Sequence, residues 1–72
     1  MDIDGRLIKK KRKQKGYSQY RLAKKLGVDP DEVKDWERNR KQPDKHILRR
    51  LAKILGARPV ELRRAFKHGR VW

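Results

Sequence analysis

Residues 18–37, SQYRLAKKLGVDPDEVKDWE, hold two helix starts and one forced turn, and few folds accommodate that spacing. Ser18 can open a helix, because its hydroxyl accepts from the free amides of the first turn. Leu22, Ala23 and Leu26 then form one apolar stripe at helical period. Gly27 stands where the helix must end in a left-handed conformation, which costs glycine no steric penalty. Asp29 opens the next helix as N-cap, Pro30 takes the first helical position, and Glu32 completes an expected capping box. Val33 and Trp36 fall on the inward side of that second helix. Two helices this close, joined by a tight glycine turn, read as helix-turn-helix.

The flanks read as further helices. Residues 1–16 predict a first helix capped by Asp2 or Asp4 and ended by Gly16. Its apolar residues are Ile3, Leu7 and Ile8. Ile8 and Arg12 share one face, whereas Lys9, Lys10 and Lys13 project elsewhere. Asn39 tolerates the left-handed conformation and can end the third helix. Asp44 caps a fourth, with Ile47, Leu48, Leu51, Ala52 and Leu55 as its buried stripe and Gly56 closing it. A fifth is expected from Pro59, carrying Leu62 and Phe66 and ending near Gly69; its start is weakened by Arg58 in the cap position. No strand pattern or repeat appears. The expected fold is an all-α, compact five-helix bundle in a single domain, 1–72, with a globular core over 3–66 and a tail over 67–72.

Charge limits what such a bundle can do. The chain carries 23 basic and 9 acidic residues, a net +14 with pI near 10.9. A domain this basic repels itself unless a polyanion neutralises it. Nucleic acid is the first candidate and an anionic membrane surface the second. No apolar run approaches the roughly 20 residues that span a bilayer, and the N-terminus lacks a signal peptide's apolar core. A cytoplasmic, nucleoid-associated protein is expected. There is no cysteine, and His46 and His68 are far apart with no acidic cluster around them, so no metal site or cofactor is expected. The one serine serves as a cap and no acid–base–nucleophile set exists, which argues against an enzyme or a small-molecule site.

The chain resembles the phage Cro/repressor-type (XRE-like) helix-turn-helix family. Gln19, Leu22-Ala23, Leu26-Gly27-Val28, Val33 and Trp36-Glu37 carry the likeness. Pro43, Leu48, Leu51-Ala52 and Leu55-Gly56 continue it, so that it covers roughly residues 8–62. The resemblance implies a lambda-repressor-like fold whose second and third helices form the DNA-binding unit. It implies an ion pair between Arg12 and Glu37, and base reading in the major groove by the outward face of helix 30–38: Asp31, Glu32, Lys34, Asp35 and Arg38. Phosphate contacts would come from Gln19, Tyr20, Arg21 and the Arg40–Lys41 loop. Homodimerisation on a two-fold operator would use the C-terminal region: Leu62, Phe66, Val71 and Trp72. Lys11 departs from the family at a position that is usually aliphatic.

The third helix carries an unexpected charge. Residues 29–38 contain five acids and two bases, a net −3, so the rest of the chain carries +17. Asp29, Asp31 and Glu32 can complement the helix dipole, at roughly 0.3–1 kcal/mol each. That account leaves Asp35 unexplained. Direct readout is the functional alternative, with carboxylates accepting from cytosine N4 while Lys34 or Arg38 donates to guanine. Backbone contacts then drive affinity; about five phosphates per subunit imply a log–log salt slope of about −4.5. Three functions fit: a sequence-specific double-stranded DNA-binding regulator, an interaction module gripping a basic protein through its acidic helix, and a non-specific nucleic-acid binder.

Overall fold

A computed structural model describes residues 2–63. Four α-helices follow in order: α1 (Gly5–Gln14), α2 (Gln19–Leu26), α3 (Pro30–Glu37) and α4 (Lys45–Leu55), and a 3-10 turn covers Pro59–Leu62. Each α-helix opens on a side-chain cap. Asp4, Ser18, Asp29 and Asp44 accept from the amides of Arg6, Arg21, Asp31 and Ile47 respectively. Each also closes on the same device. A left-handed residue follows the last turn, and the next amide reaches back to a carbonyl five residues earlier: Tyr17 to Arg12, Val28 to Ala23, Arg40 to Asp35 and Ala57 to Ala52. Asn39, at φ 60°, is the one non-glycine residue in that role.

The expected first helix is shorter than residues 1–16. Ile3 lies ahead of it in an extended segment, with its amide donating to Gln42 Oε1 at 2.7 Å and its carbonyl accepting from Gln42 Nε2 at 3.1 Å. Gly5 then starts α1 against the end of α3, so tightly that a Cβ would overlap the Trp36 and Glu37 carbonyl groups. The expected fifth helix is replaced, within the described residues, by the 3-10 turn. Arg58 provides no side-chain cap, and Arg63 turns extended to make an isolated antiparallel bridge with Ile3. Phe66 and Gly69 lie outside the described residues. The described fold thus has four α-helices where five were expected.

The core is one cluster. Ile3 and Ile8 meet Leu22, Ala23 and Leu26 of α2, Val33 and Trp36 of α3, and Leu48, Leu51, Ala52 and Leu55 of α4, with Leu62 closing it. Fully burying an aliphatic side chain contributes about 1.5–3 kcal/mol, so this short list carries most of the fold. α1 packs on α3, α4 packs on α2, and the 3-10 turn covers α1 and α4. Lys11, half-buried at its unusual position, reaches Glu61 of that turn at 3.9 Å. No helix among the described residues is long and apolar enough to cross a membrane.

Candidate nucleic-acid interface

α3 is held from behind by a buried polar cluster. Arg12 Nε donates to Glu37 Oε2 at 2.6 Å and Nη2 to Oε1 at 3.2 Å, a two-point grip. Its remaining nitrogen, Nη1, donates to the Tyr17 carbonyl at 2.8 Å, which ties in the turn between α1 and α2. Gln19 Nε2 adds a bond to Glu37 Oε1 at 2.9 Å. Arg12 and Glu37 are only 7% and 8% exposed, and no buried side-chain polar atom among the described residues lacks a partner. Removing a charge from water costs several kcal/mol unless it is paired and hydrogen-bonded, and both conditions are met here. The cluster joins α1, the start of α2 and the end of α3, fixing the angle at which α3 stands out from the bundle. Gln19, expected to reach a phosphate, spends its amide nitrogen on this cluster.

Val33, Trp36 and Glu37 are buried, whereas Asp31, Lys34 and Arg38 are exposed and Glu32 and Asp35 are half-buried. Arg38 is the C-cap residue, one position beyond the last helical residue. Asp29 caps through its own carboxylate, but the reciprocal half of the capping box is absent. Glu32 turns instead towards Lys41, whose Nζ lies 3.7 Å from Glu32 Oε2 and 3.9 Å from Asp35 Oδ2. The Lys41 amine is therefore directed across α3, where an outward phosphate contact had been expected. Tyr20 and Arg21 are exposed at the start of α2, with the Lys24 amine 5.7 Å from the Tyr20 ring centre. Arg40 is exposed beside α3.

These placements alter the charge of the helix. Within residues 29–38 the acids exceed the bases by three. Arg12 neutralises Glu37 from α1 and Lys41 adds a positive charge from the loop, so the excess falls to one. On the outward side Asp31, Glu32 and Asp35 now face Lys34, Arg38 and Lys41, three charges of each sign. Counting charge along the sequence missed this because both compensating bases lie outside the segment. The single signal for Lys41 was its distance from the left-handed Asn39, which folds the loop back. Gly5 could have been noticed as a glycine placed inside an expected helix, where it costs about 1 kcal/mol relative to alanine.

Beside α3 lies a shallow, open groove of about 410 Å³ between its N-terminus and that of α4. Its lining mixes apolar Val28, Trp36, Pro43 and Ile47 with the acids Asp29, Glu32 and Asp44. Of the expected dimer residues, Leu62 is fully buried in the core and unavailable to a partner. Phe66, Val71 and Trp72 lie outside the described residues. No group of three or more metal-ligating side chains occurs among the described residues.

The arrangement, two short helices about a glycine turn with the second projecting from an all-helical bundle, defines a lambda-repressor-like helix-turn-helix domain. The helix-turn-helix family model matches residues 8–62, more than half of the chain. The chain belongs to the Cro/repressor-type (XRE-like) helix-turn-helix DNA-binding family. Among solved structures it is similar to the biofilm master regulator SinR in complex with DNA, at 36% identity over 81% of this chain and 97% of that one, TM-score 0.75. It is also similar to the DNA-binding domain of the P22 C2 repressor, at 31% identity over 86% of this chain and 84% of that one, TM-score 0.77. A Yarrowia lipolytica protein assigned as multi-protein-binding factor 1 is 38% identical over 52 residues, which are 72% of this chain. The chain spans about a third of that relative's length, 34%.

Proposed function

We propose that this protein is a sequence-specific double-stranded DNA-binding transcriptional regulator that reads the major groove with the helix over 30–38. The observation that carries the reading is the buried Arg12–Glu37–Gln19 cluster, which orients α3 while leaving Asp31, Lys34 and Arg38 open to a ligand. Lys34 and Arg38 suit guanine O6 and N7, and Asp31 and Asp35 suit cytosine N4. Arg21 and Arg40 flank the helix as phosphate contacts, with Tyr20 against the sugar-phosphate chain. Binding as a homodimer to a two-fold operator is part of the proposal, with the C-terminal residues beyond Leu62 as the interface. The regulator acts without a cofactor and is not an enzyme, and its site of action is the nucleoid.

The test is selection of duplexes from a randomised pool by the wild-type protein, followed by titration of the enriched and scrambled sequences. We expect tighter binding to the enriched duplex. Lys34→Ala and Arg38→Ala should each cut that preference by about 1–3 kcal/mol. Equal losses on both duplexes would remove base reading from the proposal.

A second reading, a module that binds a basic protein segment, is favoured by the groove lined by apolar residues and three acids and by the assigned name of the Yarrowia lipolytica relative. It predicts no enrichment and no duplex binding even at low salt.

A further inference from the structure

Loop residues 39–42 are pinned on both sides of Lys41. Asn39 Oδ1 accepts from the Gly5 amide at 2.9 Å, and Gln42 pairs with both backbone groups of Ile3. Within the loop, the Arg40 and Lys41 amides both return to the Asp35 carbonyl, at 2.9 and 3.4 Å. The Lys41 backbone is therefore held in place, and its amine lies near Glu32 and Asp35. The Lys41 side chain is 57% exposed. Ion pairs this exposed add little to stability, typically under about 1 kcal/mol, so the placement of the Lys41 amine near two carboxylates contributes little to folding.

From this geometry we infer that Lys41 is a positioning residue that screens the carboxylates of α3, allowing an acidic helix to approach a phosphate-lined groove. The inference rests on the DNA-binding reading above and assigns Lys41 a role different from that of a phosphate contact. Without its amine, Glu32 and Asp35 present two uncompensated negative charges beside a polyanion. With it, the pair carries a net −1 and its oxygens stay oriented along one side of the helix. Arg40, adjacent in sequence and exposed, remains the loop's candidate for a phosphate.

A double-mutant cycle separates the two roles. Affinities of wild type, Lys41→Ala, Asp35→Asn and the double variant are measured by fluorescence anisotropy on the enriched duplex and on a scrambled duplex of equal length. A screening lysine predicts that Lys41→Ala weakens binding and that Asp35→Asn in the same chain restores it, a coupling of about fivefold or more. A phosphate contact predicts that the two single effects multiply, and that outcome overturns the inference. If selection enriches no duplex, base reading fails, and the cycle on the scrambled duplex alone decides: restoration supports screening and independent effects reject it. Absence of binding to any duplex ends both readings. Circular dichroism melts of the four proteins confirm that each is folded before its affinity is interpreted.

Discussion

Arg12 shows how much a single residue can determine in a chain this small. Its guanidinium makes three of the hydrogen bonds that hold α1, the following turn and α3 in one arrangement. Arg12→Ala leaves Glu37 buried with only Gln19 as partner, and we expect a loss of about 3–5 kcal/mol in urea unfolding. Replacing both members, Arg12→Met with Glu37→Leu, should recover much of that loss, because a hydrophobic pair carries no desolvation cost. Gly5 is the second such residue, for a steric reason. A methyl group there meets the Trp36 and Glu37 carbonyls, which are fixed backbone atoms. Gly5→Ala should destabilise by about 1–3 kcal/mol or more despite alanine's better helix propensity, a sign that thermal melting can read.

At the level of elements, the caps explain why so much was legible in advance. Ser18, Asp29, Asp44 and the glycines at 16, 27 and 56 act locally, so their positions in the sequence were enough to place four helices. Of the contacts that cross the chain, the Arg12–Glu37 pair was legible through the family resemblance, and those of the 39–42 loop were not. Gln42 holds Ile3 across 39 positions, and Lys41 meets Glu32 and Asp35 only after Asn39 has turned the loop. The expected fifth helix failed within the described residues for the same reason, since the Ile3–Arg63 bridge draws the chain out straight. Asn39 combines both kinds of information, a left-handed backbone and a side-chain bond to Gly5. Asn39→Gly keeps the conformation and loses the bond, whereas Asn39→Ala loses both. We therefore expect Asn39→Gly to cost about 0.5–1.5 kcal/mol and Asn39→Ala about 1–2 kcal/mol more, an order that differential scanning calorimetry can test.

Across the whole molecule, most of the nine acids are engaged among the described residues. Asp29 and Asp44 cap helices, Asp4 caps α1 and pairs with Arg6, and Glu32, Asp35, Glu37 and Glu61 form ion pairs. The net +14 is thus carried mainly by solvated basic side chains whose mutual repulsion opposes the compact state. Added salt screens that repulsion over about 10 Å at 0.1 M, so the melting temperature of the free protein should rise with sodium chloride. DNA binding should respond in the opposite direction, because each neutralised phosphate releases counterions. Five phosphate contacts per subunit would give a slope of about −4.5. With the Lys41 amine committed to Glu32 and Asp35 and the Gln19 amide to Glu37, three remain and the expected slope is about −2.7. Titrations of enriched and scrambled duplexes between 50 and 300 mM salt (a range of roughly sixfold) distinguish the two values. A slope at or beyond the steeper one would return both Lys41 and Gln19 to the phosphates, whereas the shallower slope together with a salt-stabilised free protein is what a basic domain with a screened, near-neutral reading face requires.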